Sequence, residues 1–265
     1  MRSGILQKEL QELLAIGSEI AYQAAALLQK NHLNSRIVES KIDKDVKIRA
    51  DRLLSTFISE GLTQRSNLPV ISEESDKNFD LLESDRPFWV IDPLDGSMNF
   101  TRDLELGCIS IALCEGRNPI LGIIYDFYRD KMYCGGEELG AWMNNCPIHV
   151  SKIDQPEQAI LATGFPVRSD FSQNSVSQFV ASVQAFMKIR MLGTAALSLA
   201  WVASGFMDAY YERDIMIWDV AAGLALVRAA GGAFRMDMGR YSRSHHVIAT
   251  NRKLLPTVEA LHGFM

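Results

Sequence analysis

The chain has 265 residues, 48% of them hydrophobic and 22% charged, with a formal net charge of −5. That length and composition exclude disordered and fibrous classes and allow one large domain or two modest ones with buried cores. No basic stripe stands out, so the charge pattern gives no encouragement for nucleic acid as a partner. Cys108, Cys114, Cys134 and Cys146 form no C-x-x-C pair and have no histidine at zinc-finger spacing, which reads as reduced packing thiols in a cytosolic setting. Lys8, Glu9, Glu12 and Glu19 interrupt any signal-peptide core. The longest uncharged run, Met191 to Met207, is rich in Gly, Ala, Ser and Thr, a texture suited to a buried helix and not to a membrane span. A soluble cytoplasmic protein is expected.

In chain order, Leu6, Leu10, Leu13, Leu14, Ala21, Ala24, Leu27 and Leu28 fall at three- and four-residue steps and predict an amphipathic helix over about 5–30. Val46, Ala50, Leu53, Leu54, Phe57 and Ile58 predict a second over about 45–61. The texture then becomes β-rich: "LPVIS", "FWVIDP", "CISIALCEG", "PILGIIYDF" and "KMYCGG" read as mainly adjacent strands between turns. After about residue 158 strands and helices alternate: "AILATG", helix 175–187, "KIRML", helix 194–204, "DAYYE", helix 218–230, "GAFRM", "HVIAT", and a helix from Lys253. The expected division is 1–150 and 151–265, tightly packed without a flexible linker, with a site between the halves.

Acidic residues gather at the ends of these elements. Asp92 follows a hydrophobic run, Pro93 fixes the backbone, and Asp95-Gly96 closes a turn, although P-x-D-G is also an ordinary turn signal. Glu73 and Glu74 follow another strand, where two solvated loop acids are the plain alternative. Asp219 stands at the mouth of an apolar helix, where it could serve only as a cap. Together they suit a hard cation, because Mg²⁺ takes oxygen ligands, and two ions can clamp the attacking and leaving oxygens of a phosphoryl transfer. Strand ends are also where α/β sites collect.

"EES" at 73–75, "WVIDPLDGSMNF" at 89–100 and "WDVAAG" at 218–223 resemble, in order, the three-part signature of the inositol monophosphatase family. That family belongs to the metal-dependent, lithium-sensitive phosphatase superfamily that includes fructose-1,6-bisphosphatase. "GTAAL" at 193–197 and "DAYYE" at 208–212 extend the similarity across most of the chain. The resemblance implies an α/β fold, a layered α/β/α/β/α sandwich. It would have N-terminal helices with a mostly antiparallel sheet, then a smaller alternating α/β half. It also implies a homodimer, and a small-molecule phosphate ester as partner with no membrane.

By the same resemblance Glu73, Asp92 and the Leu94 carbonyl hold a first Mg²⁺, and Asp92, Asp95 and Asp219 a second, with Glu73 reaching a third through water. Glu74 supports this shell. Asp51, which without the resemblance reads as an exposed helix residue, pairs with the Ser97 hydroxyl to orient and deprotonate a water activated by the metals. Ser97 stands where many relatives carry threonine. Backbone N–H groups of Gly96 and Ser97, and those opening the helix at Gly193, Thr194 and Ala195, face the substrate phosphate. Glu212 accepts hydrogen bonds from substrate hydroxyls. Ser72 departs from a glycine often found there, Met98 from a small polar residue, and Arg168 could reach substrate or only solvent. His245 and His246 read as surface or packing histidines.

The implied activity is Mg²⁺-dependent hydrolysis of inositol 1-phosphate or a similar polyol phosphate. The alternatives keep the metals and change the substrate to fructose 1,6-bisphosphate, a 3′-phosphoadenosine nucleotide or histidinol phosphate. Arg168, Arg190 or Arg213 would then meet a second phosphate. A regulatory protein–protein or RNA-associated role is the reading from another class.

Overall fold

In the computed structural model the described residues are 6–30, 37–42, 45–75, 77–165, 170–241 and 243–263. Helix α1 (Gln7–Lys30) buries Leu10, Leu13, Ile20, Ala24 and Leu28, the stripe its spacing predicts. Strands β1 (Val38–Ile42) and β2 (Asp45–Ile48) form an antiparallel hairpin, and α2 (Arg49–Ser66) follows. This corrects the expected helix over 45–61. Val46 lies at helical spacing from Ala50, but its backbone is paired with Lys41 in the hairpin. The helix begins only where the Asp51 carboxylate accepts the Ile48 N–H at 2.8 Å, and stops at Asn67, whose φ is 56°.

The first sheet contains β3 (Val70–Ser72), β4 (Pro87–Asp95), β5 (Cys108–Glu115), β6 (Asn118–Asp126), β7 (Lys131–Gly136), β8 (Gly140–Met143) and β9 (Cys146–Pro147), laid side by side in sequence order. Only the β3–β4 pair is parallel. The short helix α3 (Ser97–Thr101) caps the end of β4. The second sheet has the order β11-β10-β12-β14-β13, with β10 (Ile160–Thr163), β11 (Lys188–Arg190), β12 (Ala209–Met216), β13 (Gly232–Met238) and β14 (Ser244–Asn251). Its helices are α4 (Gln173–Val183), α5 (Ala195–Ala203), α6 (Ile217–Ala229) and α7 (Leu255–His262). Helix α4 is shifted toward the N-terminus relative to the expected 175–187, because the Ser172 hydroxyl caps an earlier start and the chain turns at 184–187.

Strand alternation sorts the side chains into layers. Trp89, Ile91, Ile109, Ile111 and Ile123 pack beneath α1 and α2, whereas Phe88, Val90, Ala112 and Ile124 meet α5 and α6. Tyr210, Val247 and Ala249 of the second sheet close over the other side of α5 and α6. Leu161, Ala209, Tyr211 and Ile248 turn outward to Val183 and Val258 of α4 and α7 and to Phe186 and Leu254 beside those helices. The result is the α/β/α/β/α sandwich. Helix α6 lies so near the first sheet that a Cβ on Gly122 would fall 2.0 Å from the Ala222 carbonyl oxygen. Its side chains are apolar nearly all round, as a helix buried between two sheets requires. Among the described residues no helix is long and apolar enough to cross a membrane.

Candidate active site

Residues three apart on a regular strand face opposite sides. Asp92 and Asp95 share a side because β4 is bulged between them. Asp92 stands opposite Ser110 and Asp95 opposite Cys108, three steps on one strand against two on its partner. Pro93 and Leu94 occupy the bulge, and the Leu94 N–H donates to Asp92 Oδ1 at 3.0 Å. Asp95 Oδ2 accepts the Thr194 hydroxyl at 2.6 Å and the Ala196 N–H at 2.7 Å, which docks the start of α5 onto the bulge. Asn99 clamps the same turn from α3, its Nδ2 donating to the Leu192 carbonyl at 2.7 Å. Gly193 has φ +69° there, and Gly96 has φ +89° with no room for a Cβ beside the Leu106 carbonyl.

Asp219 arrives from the other half of the chain. It is the third residue of α6 and accepts the Met216 N–H at 3.1 Å, so its cap-like contact and a site role are compatible. Asp51 is held identically at the third position of α2. It is buried at 6% exposure and is not the exposed helix residue that the sequence pattern alone suggests. Ser55, one turn along the same face of α2, lies 2.7 Å from the Ser72 hydroxyl, which also accepts the Glu74 N–H at 3.3 Å. Ser72 is therefore the anchor of the turn that carries Glu73 and Glu74. The Glu73 N–H in turn donates to the Ile91 carbonyl at 3.2 Å.

These acids sense one another. Burial raises the Asp92 pKa well above the carboxylate range, and the charges of Glu73, Asp95 and Asp219 push it the same way. Asp219 is raised by burial, then by Glu73 and Asp95. Asp95 rises to about 6 through burial, held down by the Thr194 hydroxyl and the Ala196 N–H. Among the described residues no ion pair involves Asp92, Asp95 or Asp219. Nor are three or more His, Cys, Asp or Glu side chains among them grouped closely enough to hold a metal ion by themselves. The donor set is nonetheless all oxygen, with Asp92 and Asp95 buried and Glu73 and Asp219 partly so, which fits a hard divalent ion that keeps some water and substrate ligands.

Glu212 on β12 lines a cleft with Thr163, Gly164, Asp170 and Arg240, and is 8% exposed, with its pKa raised to about 7 by burial. Of the cations weighed for a second phosphate, Arg213 donates to the Tyr211 hydroxyl and to the His262 carbonyl, and Arg190 to the Ile189 carbonyl. Arg168 lies outside the described residues. The Ala196 and Leu197 N–H groups have internal acceptors, Asp95 and the Thr194 hydroxyl, so the α5 donors available to a phosphate narrow to Thr194 and Ala195. Met98 is exposed at 46%. His245 is buried and His246 accepts the Asp214 N–H at 3.3 Å, both in packing roles. Cys108 is a buried free thiol 3.9 Å from Asp95 Oδ2. The anchors Ser72 and Asn99 carry no recognisable chemistry of their own. Only their places, Ser72 directly before Glu73 and Asn99 three residues past Gly96 in the 89–100 stretch, could have drawn attention to them.

A two-sheet sandwich with buried acids at a strand bulge and a helix start defines a phosphatase-like α/β architecture. The model of the inositol monophosphatase family matches residues 9–262. An inositol monophosphatase of Mesembryanthemum crystallinum is 32% identical over 239 residues, 87% of each chain. The Nus factor SuhB of Xylella fastidiosa is 41% identical over 148 residues, 56% of this chain and 54% of that protein. The solved inositol monophosphatase of Anabaena superposes with a TM-score of 0.81 at 31% identity, covering 95% of both chains. The chain belongs to the inositol monophosphatase family, whose members are phosphoric monoester hydrolases and generally metal-dependent.

Proposed function

We propose that the protein hydrolyses the phosphate monoester of a polyol, inositol 1-phosphate or a close analogue, with Mg²⁺ as cofactor. The observation that supports this most is the mutual electrostatic influence of Glu73, Asp92, Asp95 and Asp219, residues drawn from three separate segments of the chain. With the Leu94 carbonyl, these are the groups that would hold two or three ions. Bound there, the ions supply a water of lowered pKa and positive charge opposite the phosphate. Asp51 and Ser97 would orient a water there, with the Asp51 carboxylate as the group to take up its proton. The N–H groups of Gly96, Ser97, Thr194 and Ala195 hold phosphate oxygens, with the turn at Gly193 setting their direction. Glu212 accepts hydrogen bonds from the hydroxyls of the leaving polyol. The engagement of Arg190 and Arg213 elsewhere weighs against a bisphosphatase.

The test is a panel of inositol 1-phosphate, fructose 1,6-bisphosphate, a 3′-phosphoadenosine nucleotide and histidinol phosphate, with Mg²⁺ and with or without lithium. The highest kcat/KM on inositol 1-phosphate, lost with lithium, is the expected result. Absence of Mg²⁺-dependent turnover on every ester overturns the proposal. The likeness to a Nus factor favours one second reading, a protein–protein or RNA-associated role beside or instead of hydrolysis. A stable partner in pull-down from a protein without turnover would select it. A homodimer is the proposed working unit, to be checked by sedimentation.

A further inference from the structure

Strand β12 places Tyr210 and Glu212, two residues apart, on the face that looks toward α5 and α6, while Tyr211 between them turns to α7. Tyr210 is 1% exposed. Its hydroxyl donates to Glu212 Oε2 at 2.7 Å, and it is a neutral donor at any working pH, because burial and the Glu212 charge hold its pKa well above 10. On the other side of the carboxylate is Gly164, just past the end of β10, the parallel neighbour of β12. A Cβ built there would lie 2.8 Å from Glu212 Oε1 and 3.1 Å from Oε2. No positive φ demands glycine at 164. The absent side chain is what leaves space for the carboxylate.

We infer that Tyr210 and Gly164 are positioning residues that together set the Glu212 carboxylate for recognition of the leaving group's hydroxyls, and so determine the selectivity of the enzyme for polyol phosphates. Tyr210 fixes one oxygen by a buried hydrogen bond. Gly164 lets the other occupy the end of the cleft. The carboxylate thus presents its remaining lone pairs from one rotamer, without first having to be ordered by substrate. This rests on the proposed hydrolysis of a polyol phosphate with Glu212 as the hydroxyl acceptor. It goes further in naming what holds that acceptor, which neither residue's type signals in the sequence.

The two variants strain the fold very differently from the site. Tyr210→Phe keeps the ring and removes one oxygen. Gly164→Ala adds a methyl whose nearest obstacle is the far end of a flexible side chain, so the carboxylate moves and the backbone does not. The experiment measures kcat and KM for inositol 1-phosphate and for p-nitrophenyl phosphate, whose leaving group has no polyol hydroxyls, in wild type, Tyr210→Phe, Gly164→Ala and Glu212→Gln. Each positioning variant is expected to raise KM for inositol 1-phosphate about tenfold, the equivalent of one hydrogen bond to a charged group, with kcat within about twofold. The KM for p-nitrophenyl phosphate is expected to move less than about twofold. Placed in a Glu212→Gln background, Tyr210→Phe is expected to add little, because both act through one group.

An unchanged inositol 1-phosphate KM in either folded variant overturns the inference, as does an equal rise for both esters or full additivity with Glu212→Gln. If Tyr210→Phe does not fold, Gly164→Ala decides alone. Failure of the underlying reading looks different. There the wild type itself turns over the two esters without preference, or Glu212→Gln leaves that preference intact.

Discussion

Asp92 and Asp95 at the end of β4, with Asp219 at the start of α6, are held differently from Glu212 within β12. Asp92, Asp95 and Asp219 are fixed chiefly by backbone N–H groups, those of Leu94, Ala196 and Met216. Glu212 is fixed by a single side-chain hydroxyl and by the space beside a glycine. Backbone donors persist through almost any substitution that preserves the fold, whereas a hydroxyl and a missing methyl each change with one residue. The arrangement that would bind metal is therefore robust. The arrangement that would choose the substrate is adjustable.

Four outcomes test that contrast. Asp95→Asn is expected to lower turnover more than about a hundredfold, because a neutral amide is a poor ligand for a hard cation. Its circular dichroism and melting temperature should stay near wild type, since the amide oxygen still accepts from Thr194 and Ala196. Full turnover by this variant in millimolar Mg²⁺ breaks the comparison at its stronger end. Thr194→Val removes the hydroxyl donor to Asp95 and is expected to cost about tenfold or somewhat more in kcat, with Thr194→Ser restoring most of it. Recovery with valine in place would show that the backbone donors suffice. Without added metal, Asp92→Asn is expected to raise the melting temperature by about 2–4 °C, because it removes one of several repelling buried charges. Excess chelator should abolish turnover and leave that metal-free difference in place.

The last outcome concerns acid. His262 is buried against Tyr211, with ring centroids 3.5 Å apart, and burial lowers its pKa to about 3. An unfolded chain binds this proton near pH 6.5, so the stability it contributes is complete above that and declines as the pH falls toward 3. His245, lowered to about 4 by burial and then by Arg117, adds to the decline. Each contributes up to about 1.4 kcal/mol per pH unit within its window. His262→Phe is expected to flatten urea-derived stability between pH 6 and 4. An unaltered slope would mean that the ring is hydrated in solution.

Much of the architecture can be read directly from the pattern of residues. The stripe of α1, the β-rich middle and the alternation after 158 all follow from hydrophobic periodicity, which is strong wherever an element lies on one core. The hairpin of β1 and β2 escapes it because Val46 and Ala50 happen to continue a helical step, and only pairing with Lys41 overrides that. Strands β8 and β9, "GAWM" and "CP", are too short to show an alternation. In the site, the acids were legible through the resemblance. Their supports were not. Ser72 and Asn99 act on segments 17 and 93 residues away, which no local pattern records, and Tyr210 acts on Glu212 two residues along the strand through a hydrogen bond that its residue type does not announce.

Helix α6 brings Asp219 to acids more than a hundred positions earlier and fills the space between the two sheets. During synthesis, the ribosome must therefore release the chain past residue 229 before that corner exists. A nascent or truncated polypeptide ending sooner has the bulged aspartates yet lacks both their third companion and the central layer on which they rest. Competence arrives late and in one step, once the stretch through residue 229 is in place.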